Sequence, residues 1–583
     1  MGRRFMQQIV RQRCRELGLV FGLVFSLLVS PQPLLAAETP QALAPHAMVV
    51  AANPLAVEAG LGVLRRGGTA VDAAVAVQAV LGLVEPQSSG LGGGAFMVYY
   101  NAKTGAVMAY DGREIAPAGA GPDLFLQTGQ TGAVQPMGFA QAVLSGRSTG
   151  VPGAVAMLAL AQSQQGKLAW KDLFGDAQRL ASGGFVVSPR LAGMIISPAP
   201  QAKAPDAVAY FTRPDGKPYT AGDVLKNPAY AQTLERLASE GPSALYQGPL
   251  AQAIIDRVHQ GELAGSLSLT DFAAYRPHLN KALCRPFRVY QVCVPNAPSG
   301  GAAVLQGLGL LEGTDIAKEV NTPKGWYLFS QASRLMYADR DRYLGDPAFV
   351  TVPIEGLLAG DYLASRRALI GERAGPAPLF GQPKGAPKLA PDATREPGGT
   401  THFVIVDPAG NVVSMTTTVE SIFGSGRMVG GFFLNNQLTD FSFSPKNADG
   451  TAAANAVAPG KRPRSSMAPV IILDRKGRFV AALGSPGGSS ILAYNLKALI
   501  AVLDWKMPMQ QAVALPNLIS RGETYSAELG QFSPGLVTGL AEQGVTLKAT
   551  GIGEVSGLHG VIKHKGGYEG GADPRREGVA RGF

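Results

Sequence analysis

The sequence predicts a layered α+β fold with antiparallel sheets, and three observations point that way. The first third is dominated by apolar, helix-forming segments. The region after residue 400 carries pairs of short apolar runs joined by tight-turn residues, the mark of hairpins. A second helical stretch follows those pairs, so helices flank strands along the chain and must cover them in layers.

The elements follow in order. Residues 56–64 have helix-forming composition, run into Arg65-Arg66 and stop at Gly67-Gly68, which suits a helix C-terminus. Asp72 opens an Ala/Val-rich run to Val84 that is apolar nearly all round, which predicts a buried helix. Beyond the glycines of residues 90–94, Phe96-Met97-Val98-Tyr99-Tyr100 reads as a strand. Residues 285–292 predict two short strands and a tight turn. Cys284 and Cys293 flank them and either pair across that hairpin or stay as two buried thiols; the sequence leaves both open. Residues 401–407 and 412–419 are strands joined by Pro408-Ala409-Gly410-Asn411, and residues 470–473 and 479–483 form a second hairpin. Residues 492–503 and 509–515 are expected helices. Two Pro/Gly/Ala-rich stretches, 375–399 and 444–460, read as exposed loops.

At 583 residues and 46% hydrophobic content, the chain can bury a sizeable core. Its first 37 residues read as a cleaved export signal. Five arginines precede an apolar run over 17–29, Pro31 and Pro33 break it, and Ala36-Ala37 offers the cleavage point. The run is shorter than the roughly 20 residues of a membrane span, so the expected location is periplasmic or secreted, with no span left after signal removal. Without that segment the formal charge falls from +10 to +6, spread without a basic block, which gives nucleic-acid binding no support. Six scattered histidines lack ligand spacing with one another or with cysteine, so no metal site is expected. No P-loop lysine is present, and the Gly90-Leu91-Gly92-Gly93-Gly94 run follows a helix and precedes a strand, the reverse of a dinucleotide fingerprint. No cofactor is expected. Gly146-Arg147-Ser148-Thr149-Gly150 matches a serine-hydrolase pattern, but Pro152 and Gly153 follow where a helix is required.

The chemistry concentrates elsewhere. Gly398-Gly399-Thr400-Thr401 runs directly into an apolar strand. A threonine hydroxyl needs a base beside it, and a cut before Thr400 would free its own α-amine, which titrates near 8. Arg113, closing Tyr110-Asp111-Gly112-Arg113-Glu114, offers a fork for a carboxylate. Asn435-Asn436-Gln437-Leu438-Thr439-Asp440 gathers amides and a carboxylate suited to an ammonium group. Arg464-Ser465-Ser466 sets two hydroxyls beside a cation, and Gly484-Ser485-Pro486-Gly487-Gly488 closes a strand with adjacent backbone N–H groups able to hold an oxyanion. Each of these, taken singly, also reads as an ordinary turn.

Together, and in this order, they resemble the γ-glutamyltransferase family of N-terminal nucleophile hydrolases, along with the Gly67–Ala76, Val84–Gly94 and Pro295–Gly301 runs. The resemblance covers essentially the whole chain after the signal. It implies a four-layer αββα sandwich built from both halves of a self-cleaved precursor. The cut falls between Gly399 and Thr400, giving a large subunit of residues 38–399 and a small subunit of 400–583 that stay together as a heterodimer. It implies Thr400 as nucleophile, Thr418 as its orienting partner, and Gly487 and Gly488 as the oxyanion donors. Arg113, Ser465 and Ser466 would bind a donor's α-carboxylate, and Gln437 and Asp440 its α-amine. Donors would be γ-glutamyl small molecules such as glutathione; acceptors would be water, amino acids or peptides. The alternative on the same fold is an acylase that removes glutaryl-type groups from β-lactams.

The chain departs from the family pattern at two places. Many members carry asparagine where this chain has Glu420; a second carboxylate near Asp440 should tighten the hold on an ammonium and disfavour acyl groups lacking one. The 442–459 loop is short and has no aromatic residue over 445–459, which predicts a more open site for larger γ-glutamyl donors.

Overall fold

The side chain of Asn53 accepts from the Leu55 N–H, and Pro54 occupies the first helical position, so the first helix runs Pro54–Arg65. Thr69 and Asp72 form a reciprocal capping box that starts the second helix, Ala70–Val84, and every one of its residues is buried. The computed structural model describes residues 43–583, apart from 130–131, 391, 393, 448 and 551–554. The targeting segment expected over residues 1–37 lies outside the described residues. Among the described residues no helix is long and apolar enough to cross a membrane.

Two antiparallel sheets carry the rest. The seven-stranded sheet is ordered Val579–Gly582, Met48–Ala51, Thr400–Val406, Val412–Thr418, Gly94–Tyr100, Val107–Gly112, His278–Lys281. The six-stranded sheet is ordered Gly567–Ala572, His559–His564, Phe479–Gly484, Val470–Asp474, Tyr290–Val294, Leu283–Phe287.

Alternation along the strands assigns the layers. Phe403 and Ile405 pack with Val49, Met97 and the first two helices, whereas Val404 and Val406 pack with Ile471, Ala482 and Val561 of the other sheet. The outer face of the six-stranded sheet presents Val292, Val470, Ile472 and Leu483 to the helices Gly301–Glu312, Pro323–Tyr343 and Ile491–Leu503. The result is helices, sheet, sheet, helices, as the αββα expectation requires.

The expected hairpins are present, and Cys284 and Cys293, opposite one another in the register, are joined by a disulfide. Both loop expectations need correction. The end of the 375–399 stretch is packed inward: Ala390, Asp392, Thr394 and Glu396 are buried. Ala453, Ala454, Asn455 and Val457 of the 444–460 stretch are buried too. The two stretches cover each other, with the Ala390 N–H donating to the Ala452 carbonyl and the Asn455 amide to Asp392.

Candidate active site

Register places the two threonines. Thr400 begins its strand directly opposite Thr418, and Thr418 lies opposite Gly94 on its other side. The Thr400 hydroxyl donates to Thr418 Oγ1 at 3.0 Å, and the Thr418 hydroxyl donates to the Gly399 carbonyl at 3.1 Å. The Glu420 N–H donates to Thr418 Oγ1 at 2.8 Å, from a residue held at φ 85°. That left-handed backbone turns the chain sharply beyond the strand and aims its amide back at the hydroxyl. Gly399 is needed for the close approach: a Cβ there would sit 2.3 Å from the Glu420 carbonyl oxygen. The Thr400 carbonyl is in turn held by the Arg576 guanidinium at 2.9 Å.

Around this hydroxyl chain lies a cavity of about 20 Å³, room for about one water molecule. Its walls bring together Arg113, Thr400, Thr418, Glu420, Gln437, Asp440, Ser465, Ser466 and Gly488. Of the expected residues, Gly399 and Gly487 are not among these walls. Gly487 instead lies against Tyr494. A Cβ on it would meet the Tyr494 ring at 2.6 Å.

Arg113 and Asp440, expected on opposite sides of a bound zwitterion, are in direct contact at 2.5 Å, and the Gln437 amide donates to the same Asp440 oxygen at 2.6 Å. Two desolvated opposite charges are least costly side by side. Three buried acceptors nearby have no hydrogen-bond partner among the described residues: Asp440 Oδ1, Glu420 Oε1 and Gln437 Oε1. Burial and then the charge of Asp440 push the Glu420 carboxyl well above its ordinary range, although Ser421 and Asn436 donate to it.

Sequence reasoning missed the other end of the cavity. Glu396 lines it, and its carboxylate accepts from Ser466 Oγ, from Arg340 at 2.7 Å and from Arg464 at 3.2 Å. Both arginine side chains are fully buried. Burial alone would raise the Glu396 carboxyl, but the two guanidinium groups outweigh it and hold the group at about 2. The one signal in the sequence was Tyr337-Ala338-Asp339-Arg340-Asp341-Arg342, unusually charged for a helix that proves to be mostly buried. Glu114, beside Arg113, also escapes sequence reasoning; both of its carboxylate oxygens are buried without a hydrogen-bond partner among the described residues, the Arg113 guanidinium lies 3.8 Å away, and burial, against the pull of Arg113, raises it to about 8. Among the described residues no group of histidine, cysteine and acidic side chains is arranged to hold a metal ion.

A cephalosporin acylase structure from Bacillus halodurans superposes with a TM-score of 0.82 over 96% of this chain and 99% of that one; at 24% identity this is a likeness of fold. The glutathione hydrolase proenzyme of Bacillus subtilis (strain 168) is 36% identical over 559 residues, covering 92% of this chain and 91% of that protein. The glutathione hydrolase proenzyme of Escherichia coli (strain K12) is 34% identical over 489 residues, 81% of each. The gamma-glutamyltranspeptidase model matches residues 56–583, and the chain belongs to that family.

Proposed function

We propose that this chain is a self-processing γ-glutamyltransferase and glutathione hydrolase. The observation that carries the reading is the trio of unpartnered acceptors, Asp440 Oδ1, Glu420 Oε1 and Gln437 Oε1, in the cavity that holds Thr400. An ammonium group has three N–H donors and no acceptor, so a donor's α-amine answers all three. Arg113, Ser465 and Ser466 in the same walls answer its α-carboxylate.

The first reaction is on the chain itself. Thr400 Oγ1 adds to the Gly399 carbonyl carbon while its proton passes to Thr418 Oγ1, whose own proton moves to the carbonyl oxygen along the existing hydrogen bonds. Collapse breaks the Gly399–Thr400 C–N bond as the proton on the carbonyl oxygen passes to the nitrogen, which frees the Thr400 α-amine and leaves an ester on Thr400 Oγ1. Water hydrolyses that ester, releasing the Gly399 carboxylate and restoring the Thr400 hydroxyl beside its amine. That amine, titrating near 8, then serves as base when the hydroxyl attacks a γ-glutamyl carbonyl. The N–H groups of Gly487 and Gly488 hold the oxyanion, and the amine half of the donor departs. Water or an amino-acid or peptide acceptor takes the glutamyl group. The products of processing are a large subunit of residues 38–399 and a small subunit of 400–583, working as a heterodimer after export and removal of residues 1–37.

Denaturing electrophoresis of the wild type beside Thr400→Ala tests the first step. Two bands of about 38 and about 19 kDa, scaled by residue count from 60.6 kDa, are expected for the wild type alone. Hydrolysis of γ-glutamyl-p-nitroanilide against its glutaryl counterpart tests the second. The glutaryl group leaves all three acceptors unpaired and should react at least about 100-fold more slowly. Equal rates would turn the reading toward the acylase.

A further inference from the structure

Ser466, assigned above to a donor's carboxylate, is already engaged by one. Glu396 stands three residues before the scissile bond and reaches into the cavity, where Ser466, Arg340 and Arg464 converge on its carboxylate. Arg340 also donates to Ser466 Oγ at 2.7 Å, and the Arg464 carbonyl accepts from Arg113 at 2.7 Å, so this basic cluster is continuous with the expected carboxylate site. The same segment covers the glycine turn. The Ser489 N–H donates to the Glu396 carbonyl, and a Cβ on Gly488 would lie 2.1 Å from that oxygen and 2.4 Å from the Pro397 oxygen.

We propose that Arg340 and Arg464 are further residues for the donor's α-carboxylate, and that Glu396 occupies their site as the chain's own carboxylate until self-cleavage releases it. This rests on the γ-glutamyl reading given above. Arg464 pairs with Asp392 at 3.1 Å as well as with Glu396, and both acids lie upstream of Gly399. Once the Gly399–Thr400 bond is cut, the segment carrying them is no longer tied to the strand that follows. Its departure leaves a fully buried guanidinium without its two counter-charges, and a buried cation without an anion is strongly unfavourable. An incoming carboxylate restores the balance. One event therefore exposes the nucleophile, uncovers the glycine turn and creates the affinity for substrate.

The test uses the uncleavable Thr400→Ala chain with L-glutamate as probe, measured by calorimetry beside the mature wild type. Thr400→Ala should bind at least about 100-fold more weakly than the mature enzyme, and Thr400→Ala/Glu396→Ala should recover at least about tenfold of that loss. Adding Arg464→Gln to the double variant should abolish the gain. Glu396→Gln, which keeps the shape and removes the charge, carries the same comparison if the alanine variant does not fold. A double variant that binds no better than Thr400→Ala, or a gain that survives Arg464→Gln, overturns the proposal while the mature enzyme still binds. A mature enzyme that neither binds L-glutamate nor cleaves a γ-glutamyl anilide overturns both the proposal and the reading beneath it.

Discussion

Replacing Thr418 by valine removes one oxygen and almost no volume, and that oxygen is where three hydrogen bonds meet. It accepts from Thr400 Oγ1 at 3.0 Å and from the Glu420 N–H at 2.8 Å, and donates to the Gly399 carbonyl at 3.1 Å. The last bond matters most for self-cleavage, because the Gly399 oxygen gains negative charge as Thr400 attacks. Loss of one such donor costs about 2.7–4 kcal/mol, or about 10²–10³ in rate. The stranded Glu420 amide adds about 1–3 kcal/mol of destabilisation, felt in the folded precursor as well as in the transition state. Self-cleavage of Thr418→Val, followed as loss of the precursor band over time, is therefore expected to be about 10²–10³ slower than wild type. Thr418→Ser keeps the oxygen and should fall within about tenfold of wild type. A valine variant that processes within about fivefold of wild type would refute the role given to this hydroxyl.

Three further outcomes are expected. Gly488→Ala places a Cβ 2.1 Å from a backbone oxygen at φ 56°, so the upstream segment must shift and self-cleavage should slow at least about tenfold; a wild-type time course would count against that packing. Glu114 is held neutral up to about 8 in the folded chain but ionises near 4.3 when unfolded, so its burial destabilises increasingly as pH rises between those values, by about 1.4 kcal/mol per unit. In the Thr400→Ala background, Glu114→Gln should gain in melting temperature on its parent from pH 5 to pH 8; a constant difference would refute the assignment. The short 442–459 loop, with no aromatic residue over 445–459, predicts that a poly-γ-glutamate chain is hydrolysed as well as a γ-glutamyl dipeptide, and exclusion of the long chain would reject the open-site idea.

What was legible in the sequence were features whose cause is local. The Ala70–Val84 helix and the hairpin strands were found to within one or two residues, because apolar period and turn residues act over short distances. Thr400, Arg113 and the Gln437-to-Asp440 group were each visible as polar islands at strand ends, Thr418 was named only through the family resemblance, and the fold gathers them into one cavity. Glu396 was not visible. In Thr394-Arg395-Glu396-Pro397-Gly398-Gly399 it reads as a solvated loop charge, and it is buried only because Arg340 and Arg464, 56 and 68 residues away, close over it. Arg340 escaped for the mirror reason: a charged helical residue defaults to the surface unless its partner is known. The contact between Arg113 and Asp440 also lay beyond sequence reasoning, since it depends on what occupies the space between them.

The order of strands in the seven-stranded sheet carries a consequence for the life of the cleaved protein. Met48–Ala51, from before the proposed scissile bond, is sandwiched between Val579–Gly582 and Thr400–Val406 from after it, and Val412–Thr418 pairs with Gly94–Tyr100. The other sheet joins Tyr290–Val294 to Val470–Asp474 in the same interleaved way. Neither fragment owns a complete sheet or a closed core. Severing one peptide bond leaves the native assembly intact, but a cleaved molecule that unravels must bring two chains back together in a woven topology. Its persistence is then governed by how slowly it opens, a rate, rather than by a reversible equilibrium.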